Sequence, residues 1–105
     1  MRTLRYRLSL LVGGASLILL IGGSAFAFSG EQYLPQATVT LARARQIALH
    51  TYQGKIESEE LEEESGGSGL RYSFLIGAGK NKHEVGVDAK TGKVLENSLE
   101  GPNSD

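Results

Sequence analysis

The chain contains no cysteine. That excludes a disulfide, a thiolate nucleophile and a thiolate metal site. It also closes the lipid-anchoring route of bacterial exported proteins, which needs a cysteine at the cleavage point. Histidine is nearly as scarce. His50 and His83 are the only two, and neither has the i, i+4 partner from which a helical zinc site is built. They read as a solvated His50 and a half-buried His83, not as a shared metal site. Loops that cradle phosphates are missing too. Gly77-Ala78-Gly79 lacks the third glycine of a dinucleotide fingerprint, and Gly66-Gly67-Ser68-Gly69 lacks the G-x-S-x-G spacing of a nucleophile elbow. No pair of carboxylates is framed by an apolar pocket that would raise one pKa. These absences argue against an enzyme and imply no cofactor.

Negative charge is absent from the start of the chain. Arg2, Arg5 and Arg7 are the only charges before Glu31. Leu8 to Ile21 is rich in leucine, Gly22, Gly23 and Ser24 break any helix, and Ala25-Phe26-Ala27 gives the A-x-A pattern of a signal peptidase site. Residues 1–27 therefore read as a signal peptide, with cleavage after Ala27 and Ala25 as the second choice. The competing reading is an uncleaved anchor, because Leu8 to Phe28 carries no charge and is just long enough to span a bilayer. Either version places the remainder outside the cytoplasm, periplasmic or secreted in one case and tethered to the inner membrane in the other. From Phe28 onward eight basic residues stand against twelve acidic ones. That mild acidity argues against nucleic acid and against anionic membrane surfaces as partners. A chain of this size supports one hydrophobic core of roughly 3–5 kcal/mol and no large internal cavity.

Residues 28–39 show no period and read as a linker. Thr40 is a candidate N-cap. In "LARARQIALHTYQG", Leu41, Ala44, Ile47, Ala48, Thr51 and Tyr52 share one arc at helical spacing, which predicts an amphipathic helix ended by a left-handed Gly54. "KIESEELEEES" predicts a polar edge strand, since no helical stripe of apolar residues exists in it. On such a strand Glu60, Glu62 and Glu64 share one face, and Glu57, Glu59 and Glu63 the other. Tyr72, Phe74 and Ile76 alternate, as do His83, Val85 and Val87, so two further strands follow. Between the last of these and Lys93-Val94-Leu95 lies Asp88-Ala89-Lys90-Thr91-Gly92. An Asp carboxylate there can accept from backbone N–H groups two or three residues on, the Thr hydroxyl can do similar work, and Gly92 supplies a positive φ. The expected core is Leu41, Ala44, Ile47, Ala48, Tyr52, Tyr72, Phe74, Ile76, Val85, Val87 and Val94. The expected fold is α+β, one amphipathic helix packed on a three- to four-stranded antiparallel sheet behind an N-terminal signal peptide.

The helix "TLARARQIALHTYQG", the strand "YSFLI" and the closing "VGVDAKTGKVL", taken in this order, resemble the PepSY domain. The D-x-x-T-G-x-V core of the last segment is its most recognisable part. The resemblance gives a PepSY-like domain at 40–96, after the linker at 28–39 and before a disordered tail at 97–105. It implies a non-catalytic binding module that restrains or regulates a peptidase outside the cytoplasm, with a peptidase or an extended peptide segment as partner. It carries over only Asp88, Thr91 and Gly92, as structural turn residues. Glu59 and Glu60 stand where family members tend to be more apolar, and they belong to a run of six glutamates, Glu57, Glu59, Glu60, Glu62, Glu63 and Glu64. They are candidate contacts for a basic partner surface, where they would speed association more than tighten it. The alternative is an acidic cation- or ligand-binding protein built on the same run, although calcium wants oxygens gathered by a loop that doubles back. Membrane contact is expected only if the N-terminal segment is retained, in which case the further alternative is a membrane-tethered sensory or structural module. N-terminal sequencing of the exported protein is expected to begin at Phe28, and a chain that still begins at Met1 would mean a tether.

Overall fold

Thr40 opens the helix as a cap should. Its backbone is extended, at φ −72° and ψ 158°, and its side-chain oxygen accepts from the Arg43 N–H at 3.1 Å, which satisfies one of the orphan donors of the first turn. Helix α1 then runs Leu41–Thr51. Ala44 and Ala48, four apart, are fully buried. Their small side chains let the helix backbone come close to the sheet. Leu41, Ile47, Leu49 and Tyr52 flank them, half-buried. The helix stops at Tyr52, which is extended at φ −144° while its N–H still donates to the Ala48 carbonyl. The expected left-handed stop at Gly54 is therefore wrong. Gly54 is instead a close approach, because a Cβ there would strike the Gly77 carbonyl and the Ile76 side chain.

This computed structural model describes residues 28–100. The leader, with Ala25 and Ala27, and the last five residues lie outside the described residues. Among the described residues no helix is long and apolar enough to cross a membrane.

The sheet has five strands whose spatial order follows the chain. They are β1 (Phe28–Ser29), β2 (Lys55–Glu63), β3 (Leu70–Ala78), β4 (Asn81–Asp88) and β5 (Val94–Leu99). The α+β class and the single main helix agree with the sequence reading, but the sheet is mixed. β1 pairs parallel to β2, and the other pairs are antiparallel. The additional strand comes from the segment expected to be a linker. Phe28 and Ser29 pair with Glu59 and Glu60, and Glu31–Gln36 forms a 3-10 helix behind them. Gly30 joins the two at φ 97°. Its α-carbon lies so close to Leu61 that any Cβ would overlap the Leu61 carbonyl. β2 is thus not an edge along its middle. β5 continues to Leu99, so ordered strand extends past the expected boundary at residue 96 and into the segment expected to be disordered.

Register explains the core. Glu59, Leu61 and Glu63 oppose Phe74, Tyr72 and Leu70, and β3 in turn places Tyr72, Phe74 and Ile76 against Val87, Val85 and His83. Since side chains alternate across a sheet, these share the face covered by α1. Tyr72, Phe74, Ile76, Val85 and Val87 are all fully buried there, with Leu61, Leu70 and Ala89 added. Val94 departs from expectation. It is 42% exposed, because β5 is the outermost strand. The Tyr52 ring stacks on His83 at 3.7 Å, tilted by 4°, and this pins the helix exit to β4. The buried Tyr72 hydroxyl donates to the Val39 carbonyl at 2.7 Å, and burial raises its pKa. Tyr72→Phe is expected to lower stability by about 1 kcal/mol, read as a lower midpoint in urea with an unchanged slope.

Candidate functional site

Asp88 ends β4 as a buried carboxylate, 1% exposed. A buried charge needs donors, and it has them from two separate segments. Its Oδ1 accepts from the Lys90 N–H at 2.8 Å and the Thr91 N–H at 3.1 Å. These are the two local donors expected for the turn. The Thr91 hydroxyl accepts from Lys93 at 3.2 Å. Gly92 takes φ 82° and donates its N–H to the Asp88 carbonyl. Sequence reading missed the second segment. Ser68, in the glycine-rich loop between β2 and β3, donates its N–H to Oδ2 at 2.7 Å and its hydroxyl to Oδ1 at 2.8 Å. The isolated serine among glycines was the only available signal.

Burial by itself would raise the Asp88 pKa, but the hydrogen bonds from Lys90, Ser68 and Thr91 together outweigh it and bring it to about 2. The carboxylate is thus lower in the folded chain than its ordinary 3.8. Its stabilisation is complete above that ordinary value and is lost as pH falls through about 2.

The glutamates of β2 do not form one patch. A bulge between Ile56 and Ser58 turns Glu57 out, where it meets Lys82 at 2.6 Å. Glu59 faces the helix, is buried, and takes a two-pronged ion pair from Arg45, at 2.9 and 2.7 Å. The hydrogen bond to Glu59 raises the Arg45 pKa against the opposing effect of burial, and the attraction of the two charges adds to it. Glu63 lies on this face too, exposed at the strand end. Glu60 and Glu62 lie on the opposite face. Glu60 is buried, and Glu62 accepts from the Ser73 hydroxyl at 3.0 Å. Glu64 follows the strand, half-buried, with its N–H donating to the Gly69 carbonyl. The expected solvated edge is therefore corrected at Glu59 and Glu60. Adjacent carboxylates project to opposite sides, and among the described residues no group of three or more His, Cys, Asp or Glu side chains could hold a metal ion.

The face away from the helix is organised around Arg71. Its guanidinium donates to Glu96 at 3.3 Å and to the Ser65 carbonyl at 3.3 Å. To reach Glu96 on β5 it crosses β4 at Gly86, where a Cβ would crowd both the Arg71 chain and the Glu96 Cβ. A glycine between two valines in a strand is a sign of such close passage, so Gly86 could have been flagged from the sequence. His50 is exposed on the helix. His83 is engaged elsewhere, stacked on Tyr52 with its Nδ1 hydrogen-bonded to the Asn97 side-chain oxygen at 2.7 Å.

β5 is the outermost strand and has no neighbour on its far side among the described residues. Val94 and Leu99 project from it, 42% and 62% exposed.

Residues 38–97 match the family model PepSY, described as "Peptidase propeptide and YPEB domain". Neither the search of curated proteins nor that of solved structures gives a match.

Asp88→Asn is expected to destabilise the chain by about 1–3 kcal/mol. The side-chain NH2 would face the Ser68 N–H, donor against donor. Acid titration of the variant, followed by circular dichroism, is expected to lose the part of the stability decline that the native chain shows between about pH 4 and 2.

Proposed function

Because the chain belongs to the PepSY family, we propose that it is a non-catalytic, exported binding module that engages a peptidase, or an extended peptide segment of one, outside the cytoplasm and restrains it. The observation that carries this reading is where the fold has spent its surfaces. The helix and one sheet face are consumed by the core. The residues of catalytic type serve structural roles: Asp88 closes two loops, and His83 stacks on Tyr52 and bonds Asn97. What is left for a partner is a sheet edge, the feature by which a sheet recognises another extended chain. The glutamates that remain accessible, Glu57 and Glu63 above all, fit a role in steering a basic partner surface. The description of the matching family, a peptidase propeptide domain, supports a peptidase as the partner class. Export rests on the Arg-headed leader and its A-x-A site.

Immobilised protein from the exported fraction is expected to retain a co-exported peptidase, and the soluble protein to slow that peptidase's hydrolysis of a peptide substrate. A matrix that retains no peptidase, together with unchanged hydrolysis rates, would remove this reading.

A further inference from the structure

Positive charge is left open at one margin of the fold. Among the described residues the ion pairs join Arg45 to Glu59, Arg71 to Glu96 and Lys82 to Glu57. Arg43, Lys90 and Lys93 take part in none of these, and all three are exposed. The Arg43 guanidinium donates to the neutral Gln46 side chain at 3.3 Å. The fold gathers the three cations. The turn before β5 lies against the helix, since a Cβ at Gly92 would sit 3.5 Å from Ile47 and 3.9 Å from Val39. Arg43 stands one turn before Ile47 on the same stripe of α1, so it leaves the helix beside the turn that carries Lys90 and Lys93. The backbone beneath them is fixed. Asp88 holds the Lys90 and Thr91 N–H groups, and the Ala89 carbonyl accepts from Thr38 and Val39. The Asp88 carboxylate itself is buried and already taken up by these donors and by Ser68. Val94 follows Lys93, opposes Val87 on the helix side and is 42% exposed. An apolar centre with a charged rim is the anatomy of a recognition surface.

Resting on the reading of the chain as a binding module, we infer that Arg43, Lys90 and Lys93 form a docking surface for an acidic segment of the partner, one that sets carboxylates around an apolar side chain. Charge complementarity identifies the occupant. From Phe28 onward eight basic residues stand against twelve acidic ones, so this is a local positive surface on an acidic body. A bilayer of anionic lipid is broad and would meet that body together with the patch. A narrow polypeptide segment meets the patch alone, within the range over which salt leaves charges effective. Because the backbone under the cations is already ordered, docking has to order little beyond their side chains. Glu57 and Glu63 lie on β2, away from this margin. The acidic and basic surfaces therefore address different parts of a partner.

The probes are two short synthetic peptides, one alternating glutamate with valine and one alternating glutamine with valine, and vesicles of phosphatidylglycerol. Each is titrated at low ionic strength into isotope-labelled protein from the exported fraction, and amide shifts are followed residue by residue. The glutamate peptide is expected to move the amides of Arg43, Thr91 and Lys93, to leave those of Glu57 and Glu63 in place, and to bind at least about threefold tighter than the glutamine peptide. Two double variants of equal net charge separate the patch from the overall charge. Lys90→Gln with Lys93→Gln takes cations from the patch. Lys55→Gln with Lys80→Gln takes exposed cations from the opposite end of the strands. The first is expected to weaken the glutamate peptide about three- to tenfold while keeping native shifts in β3 and β4, and the second to bind it as the native chain does. Equal binding of the two peptides, equal weakening in the two variants, or shifts that map away from the turn would overturn the inference. Vesicles that move these amides where the peptide does not would also overturn it and make the occupant a lipid surface. Peptidase capture is a separate readout. A peptidase retained equally by the native chain and the Lys90→Gln, Lys93→Gln variant, with no peptide bound at the turn, would remove this surface and leave the proposed function standing. Peptide bound at the turn with no peptidase retained would do the reverse.

Discussion

The Asp88 carboxylate is the constraint on which the rest of this small fold depends. Buried without donors it would be among the most costly groups in the chain. Supplied with donors, it makes two loops obligatory neighbours. One is the turn that leads into β5, through Lys90 and Thr91. The other is the glycine-rich loop that leads into β3, through Ser68. The next residue extends the same junction to a third segment. The Ala89 N–H donates to the Leu70 carbonyl, and the Ala89 carbonyl accepts from both Thr38 and Val39. The arm before α1, the entry to β3 and the entry to β5 are therefore fixed at two consecutive residues. Tyr72 adds a third bond to the same arm, at the Val39 carbonyl. The helix can settle over the sheet in one place because its preceding residues have no freedom to begin elsewhere.

Two arginine–glutamate pairs then secure the strands that the apolar core holds least. No residue of β5 is among the buried core, Val94 being 42% exposed, and Arg71 reaches across Gly86 to hold the strand through Glu96. β2 contributes a fully packed Leu61 between charged neighbours, and Arg45 ties it to the helix through Glu59. Ion pairs taken out of water are weak sources of net stability, but removing one partner is costly. Their effect here is directional. Each pair penalises the arrangements in which its strand slips or its helix rotates. The apolar contacts, being non-directional, penalise those arrangements much less.

This division also explains what could be read in the sequence. Alternation in β3 and β4, the Ala44–Ala48 spacing in α1 and the Asp88 turn are properties of neighbouring residues, and all were legible. The misses depend on distant partners. Glu59 reads as a solvated residue until Arg45, fourteen positions away, is placed beside it. The link from Asp88 to Ser68 spans twenty positions. Leu61 was hidden by the glutamates around it, whose number argued for a surface strand. β1 has only two residues, too few for any period to register, and its position is set by Gly30 fitting against Leu61. Val94 looked like core because it alternates correctly. Alternation gives the face of a sheet but not the distance from its margin.

The asymmetry between the two edges can be argued on the same physical grounds. Guarding the β2 edge costs the chain a left-handed glycine, a parallel strand and a 3-10 helix, all before the helix begins. An equivalent guard for β5 would be far simpler. A lysine at Val94 or Leu99 alters an exposed side chain, and a proline at Leu99 removes an N–H that β4 does not use. The chain carries neither; its devices against edge-to-edge pairing are the short length of β5, the bulge between Gly86 and Val87 in its ladder with β4, and the inward charge of Glu96. It does carry lysines at Lys90 and Lys93, in the turn immediately before β5, so cationic residues are tolerated beside this edge and stop where the strand starts. A fold so close to the lower size limit for one core has little stability to lose to misassociation. A strand open on its far side in such a fold carries a risk of edge-to-edge pairing, which these devices reduce.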